Sequence, residues 1–224
     1  MSSQAFCLPL SELDCVFGQL HSSTKRFIIA VMIERMFEAF ERLHSLSNEV
    51  KQRLVEITHI QSFPKKHLLL KEGETANHAY FVFKGLARAY YISDGKEITS
   101  RFMDEGFVIT SWISFYTRQP GYEFIETLED STLGCVHYQD LQQLYKDFIE
   151  FNIIGRKLTE HFFFLAEQRT QMLRKHTAEE KYTFFIHQHP DLLQRIPLKY
   201  IATYLGMSEE TLSRVRNKYS KNKC

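Results

Sequence analysis

The sequence predicts an α+β protein: a small antiparallel barrel or sandwich, then a long helix, then a helix-turn-helix at the C-terminal end. Three observations carry this. Between residues 57 and 137, runs rich in Val, Ile, Phe, Tyr and Thr alternate with turn residues. Over residues 139–175 the apolar residues recur at helical steps instead. Residues 197–219 read as two short helices joined at a glycine.

In chain order, residues 1–31 are mixed in character and are expected to form an extension. The first helix is expected to begin near Ile33, with Phe37, Phe40, Leu43 and Leu46 at three-residue steps. Ser47 is placed to cap a second helix in which Val50, Leu54 and Ile57 line one face. Strand character follows in HLLLKEGET, AYFVFKGLARAYYI, KEITSRFM, YEFIETLE and STLGCVHY. Ser93-Asp94-Gly95 marks a two-strand turn. In the long helix, Phe151, Ile154, Leu158, His161, Leu165, Gln168 and Met172 alternate steps of three and four, the seam of a two-stranded coiled coil. An amphipathic helix packed within one subunit fits the same pattern. Thr177-Ala-Glu-Glu180 is a capping box that opens a further helix. His187 and His189, two apart, would not share a helical face and are read as solvated or capping residues rather than metal ligands.

In the C-terminal pair, Leu198, Ile201, Ala202 and Leu205 form one buried stripe, and Gly206 suits the left-handed conformation that closes a helix. Ser208 is a good N-cap, and Glu209 and Glu210 sit in the positive first turn of the second helix. That helix buries Leu212 and Val215 and offers Glu210, Thr211, Ser213, Arg214, Arg216 and Lys218 on its other faces. The Arg214 fork suits guanine O6 and N7, and Glu210 can accept from cytosine N4. A surface hairpin of helices with solvated charges is the competing interpretation. Charge favours the nucleic-acid one: from residue 171 onward ten Lys and Arg face five Asp and Glu, whereas residues 1–170 hold eighteen against twenty-two.

IATYLGMSEETLSRVR resembles the helix-turn-helix of the CRP/FNR family of bacterial transcription regulators, on an S-x-E-T-[LV]-[SG]-R core. The KEGE and FVFKGLARAYY segments resemble the double-stranded β-roll of the family's cyclic-nucleotide-binding sensor. The resemblance implies a β-roll sensor domain with flanking helices at 32–147, a dimerisation helix at 148–175 and a helix-turn-helix domain at 176–224. It implies a cytoplasmic homodimer that binds double-stranded DNA and contacts RNA polymerase. Glu210 and Arg214 match the family's base readers, and Ser208 and Thr211 its cap and phosphate-side positions. Ser213, Arg216 and Lys218 would support them. Only SKNKC follows Tyr219, so the family's β-hairpin wing is expected to be missing or truncated, with Lys221 and Lys223 as a flexible substitute.

Members that bind cyclic nucleotides use a Gly-Glu pair and a downstream Arg-Ser or Arg-Thr pair to hold the ligand. Here Ile109-Thr110 replaces the first, and Gly121-Tyr122-Glu123 falls near the second. A carboxylate in place of the phosphate clamp repels an anion, so cyclic AMP is not the expected ligand. A candidate pocket for a different small-molecule effector comprises Phe102, Phe107, Thr110, Trp112, Phe115, Arg118, Tyr122 and Glu123, and ordinary core is the favoured reading of its rings. Cys7, Cys15, Cys135 and Cys224 show neither CxxC nor zinc spacing and are read as reduced thiols. The longest apolar run near the start, residues 27–33, is too short to span a membrane. The sequence shows no dinucleotide fingerprint, phosphate loop, metal-helix motif or nucleophile elbow, so neither an enzyme nor a cofactor is expected. A ligand-binding module whose C-terminal helices dock on another protein stays open.

Overall fold

The computed structural model describes residues 22–222. Most of the expected extension, and Cys7, Cys15, Lys223 and Cys224, lie outside the described residues. The elements in order are α1 (Ser22–Glu41), α2 (Asn48–Ile57), β1 (His59–Phe63), β2 (Leu68–Leu70), β3 (His78–Lys84), β4 (Ala87–Ser93) and β5 (Lys96–Met103). They continue with β6 (Val108–Ile109), α3 (Trp112–Thr117), β7 (Phe124–Thr127), β8 (Ser131–His137), α4 (Tyr138–Asp147) and α5 (Ile149–Lys175). The chain ends with α6 (Ala178–Gln188), a 3-10 turn (Leu192–Gln194), α7 (Leu198–Tyr204) and α8 (Glu209–Asn222). Two compact units result: residues up to 87 with 103–157, and 88–102 with residues from 158 onward. Among the described residues no helix is long and apolar enough to cross a membrane.

The first unit is the roll. Its helix α1 starts well before Ile33, because Ile29 extends the buried face of Ile33, Met36, Phe37 and Phe40 at helical spacing. Ser47 caps α2 as expected, its Oγ accepting from Val50 N at 3.3 Å. The same hydroxyl donates to Glu150 Oε1 at 2.5 Å and so ties α2 to the start of α5. One antiparallel sheet runs β1-β8-β3-β6. Its register sets His59 opposite Cys135 and His78 opposite His137. Separately, β2 pairs with β7, with an irregularity between Leu68 and Leu70. In β3 the consecutive Phe81, Val82 and Phe83 are all buried, so both strand faces are covered there. Phe40 meets Phe81 and Phe151 edge-on at 5.8 and 5.9 Å, joining α1, sheet and α5 in one core. The helix expected from 139 to 175 is two helices: Phe148 is extended (φ −130°, ψ 101°), and Asn152 Nδ2 donates to the carbonyl of Tyr145 at 2.6 Å.

The second unit combines the β4–β5 hairpin with the C-terminal helices. Asp94 (φ 49°) and Gly95 (φ 72°) both take the positive φ of a two-residue type I′ turn, whose twist matches the strands. Arg88, 1% exposed, lies over the Tyr90 and Tyr200 rings at 4.1 and 3.5 Å and pairs with Glu97. Thr99 N donates to Thr203 Oγ1 at 3.2 Å, and Arg169 Nη2 donates to the carbonyls of Thr99 and Tyr204 at 3.1 and 3.2 Å. Phe102 packs against Phe185 and Tyr204. The capping box at Thr177 and Glu180 is formed and opens α6.

Candidate nucleic-acid interface and roll cavity

The C-terminal pair is built from its own sequence. Leu205 closes α7, Gly206 takes φ +63°, and Met207 N returns to the carbonyl of Ala202 at 3.0 Å. The positive φ is what favours glycine here, and a Cβ would also crowd Leu173 Cδ2 at 3.2 Å. Ser208 Oγ then accepts from Thr211 N at 3.2 Å and starts α8. Ile201, Ala202, Leu205, Leu212 and Val215 are buried and fix the angle between the two helices.

This burial leaves a polar face. Ser208, Glu210, Ser213, Arg214 and Lys218 are exposed, and Thr211 and Arg216 are half-buried. Arg214 Nη2 donates to Thr211 Oγ1 at 3.3 Å, and Thr211 Oγ1 lies 3.1 Å from Ser208 Oγ. Glu210 is held below the usual carboxylate range by the Ser208 hydroxyl first, then by its own backbone N–H and by Arg214. It is therefore an ionised acceptor at neutral pH. Lys218 Nζ lies 2.6 Å from Glu179 Oε1 of α6, an exposed ion pair between the two helices. Asn217, exposed between Arg214 and Lys218, was not singled out in the sequence. Lys221 lies in the last turn of α8, where a flexible tail was expected.

The seven expected seam residues divide along α5. Phe151, Ile154 and Met172 are buried within the chain itself. Leu158 and Leu165 are half-buried, and His161 and Gln168 are exposed. The large apolar side chains left in solvent on α5 include Phe163 and Phe164, 65% and 63% exposed.

The roll unit has a cavity of about 370 Å³ between β2, the loop entering β3, and the approach to α3. Of the expected pocket residues, Thr110 lines it and donates to the carbonyl of His78 at 3.1 Å. The others lie elsewhere. Phe102 belongs to the second unit, and Phe115 is 1% exposed in the roll core. Phe107 is half-buried, Trp112 stacks on Tyr116, and Tyr122 is 52% exposed. Glu123 is buried and accepts from Ser111 Oγ at 2.8 Å. Arg118 ends α3 in the left-handed conformation (φ 58°). Its guanidinium donates to Ala76 O at 2.6 Å and Asn77 Oδ1 at 2.5 Å and lies 3.9 Å from the Tyr138 ring centroid. Glu74, His78 and Tyr80 line the cavity and were not foreseen, since strand alternation shows burial but not which loop folds over which strand.

Residues 60–148 match the cyclic nucleotide-binding domain family. No curated protein matches the chain. FixK2 of Bradyrhizobium japonicum is 23% identical, with a TM-score of 0.63 over 74% of this chain and 86% of that one. The c-di-GMP-responsive global regulator CLP of Xanthomonas campestris is 16% identical, with a TM-score of 0.62 over 79% and 93%. A protein from Eubacterium rectale described as a transcriptional regulator of the CRP/FNR family is 17% identical, with a TM-score of 0.62 over 79% and 85%. Residues 60–148 thus resemble a cyclic nucleotide-binding domain, and the chain has the fold of the CRP/FNR transcription regulators.

Proposed function

We propose that the protein is a homodimeric, sequence-specific DNA-binding transcription regulator of the CRP/FNR type, acting in the cytoplasm and not controlled by cyclic AMP. The observation that carries it is the α7–Gly206–α8 pair. A buried apolar seam fixes the two helices, while Glu210, Ser213 and Arg214 stand exposed on one side of α8. In this reading α8 enters the major groove. Arg214 reads a guanine, Glu210 reads a cytosine, and Ser208, Thr211, Ser213, Arg216 and Lys218 grip or support phosphates. Two copies of α8 read an inverted repeat, paired through α5. RNA polymerase is the partner that such a regulator recruits or blocks. The cavity lining includes Glu74 but neither Lys nor Arg, which supports insensitivity to a cyclic phosphate.

Selection of bound sites from a random duplex pool at near-physiological salt tests this. An enriched inverted repeat is expected. Arg214→Ala should weaken binding to that repeat by about 1–3 kcal/mol and relax preference at one base pair per half-site. Unchanged affinity and preference in the variant would sink the docking. No enrichment, even with cell extract added, would favour the reading in which these helices bind a protein.

A further inference from the structure

We propose that the roll cavity binds a small organic amine, its protonated head held by Glu74 and its apolar body lying on Leu69, Leu70 and Ile125. This rests on the reading of the roll as a sensor and names the chemical class it senses.

The charges decide the class. Among the residues lining the cavity, Glu74 is the sole carboxylate, and there is no lysine or arginine. His78, the remaining basic group of the lining, is held below its ordinary pKa by partial burial and by His137 and His59, so it is neutral at pH 7. Arg118 approaches the wall, but its Nη atoms donate to Ala76 O and Asn77 Oδ1 and its face lies on Tyr138. A phosphate or carboxylate entering here meets the Glu74 carboxylate and no lysine or arginine of the lining. An ammonium group meets an opposite charge.

The carboxylate is also held in place. Lys71 N donates to Glu74 Oε2 at 3.0 Å. The loop carrying Glu74 is tied to the segment after α3 by Gly73 N to Gly121 O at 2.8 Å and Gly121 N to Glu74 O at 3.1 Å. Burial, with Glu74 adding to it, keeps the Tyr80 phenol protonated, so it can donate or accept beside the head group. Leu70 and Ile125 are buried on the floor and give the body an apolar bed. At about 370 Å³ the cavity lies at the small end of ligand sites.

Calorimetric titration of the full chain with hexylamine, hexanol, hexanoate and cyclic AMP tests the assignment, because the first three share one apolar body and differ in head group. Hexylamine should bind about tenfold more tightly than hexanol, the size of one charge-assisted hydrogen bond. Hexanoate and cyclic AMP should give no binding heat. Glu74→Gln should remove the advantage of the amine and leave hexanol unchanged. That variant, an isosteric change at an exposed position, should keep the parent thermal midpoint. Hexanoate or cyclic AMP binding as tightly as the amine would overturn the proposal, as would an amine affinity that Glu74→Gln leaves intact, or no heat from millimolar hexylamine. Failure of the DNA selection touches none of these outcomes, since the titration reads the roll directly.

Discussion

Histidine 189 shows how one half-buried group writes a pH dependence into the C-terminal unit. It caps the end of α6, its ring lies 5.3 Å from Phe185, and burial holds its pKa below the ordinary 6.5. The sign follows from linkage. The unfolded chain takes up a proton near pH 6.5, while the folded state resists it until a lower pH. Stability is therefore complete above about pH 6.5 and falls as the pH drops below it. Denaturant midpoints at pH 7.5 and 5.5 should show a loss on acidification. His189→Gln should shrink that loss, with the remainder including the share of His78, whose pKa is lowered in the same direction. An equal loss in the variant would show that His189 has no part in it. A sequence cannot signal this: His187 and His189 read alike as polar residues at a helix end, yet His187 is exposed and His189 is half-buried.

At the level of elements, the local signals were legible and the long-range pairings were not. Ser47, the Thr177 capping box, the Asp94-Gly95 turn and Gly206 each fix a boundary through contacts within a few residues, so their types suffice to read it. The early start of α1 rests on Ile29, one turn before Ile33 on the same buried face. The break at Phe148 is invisible to periodicity, because apolar spacing continues through it. The β4–β5 hairpin is the clearest case. Alternation marked two strands, but not that Arg88 would sit between Tyr90 and Tyr200, the latter from α7. That cation is the centre of the hairpin's attachment to the helices. Its partner Glu97 is half-exposed and returns to water if Arg88 is removed, so the loss is mainly of packing and cation–π contact. Arg88→Ala should destabilise the C-terminal unit by roughly 2–4 kcal/mol. Hydrogen exchange should speed up across residues 88–102 while the β1-β8-β3 amides keep their protection. Undiminished protection of the hairpin would mean that the Thr99 and Phe102 contacts hold it without Arg88.

For the whole molecule, the question is whether two copies pair through α5. The seven-residue seam proposed for that pairing is partly used up inside one chain, because Phe151, Ile154 and Met172 are buried there. The middle of the helix carries half-buried Leu158 and Leu165, exposed His161 and Gln168, and Phe163 and Phe164 in solvent. Phe164 falls between His161 and Gln168 at steps of three and four, on one line of the helix surface. A single-subunit helix gains nothing from an aromatic ring at 63% exposure, whereas a two-fold contact buries it twice. Phe164→Glu separates the two readings because the residue is exposed in one chain and its loss leaves the monomer core intact. If copies pair here, the variant removes two rings and places two carboxylates across the axis, a penalty of at least about 3 kcal/mol, or more than a hundredfold in dissociation constant. Sedimentation velocity should then show a dimer for the parent and a monomer for the variant at equal concentration, with unchanged thermal midpoints at a dilution where both are monomeric. Binding to the selected inverted repeat should fall with it, because one copy of α8 reads only half the site. A variant that stays dimeric would move the pairing surface off this line of α5, and a parent that is monomeric would leave α5 as a helix packed within one subunit.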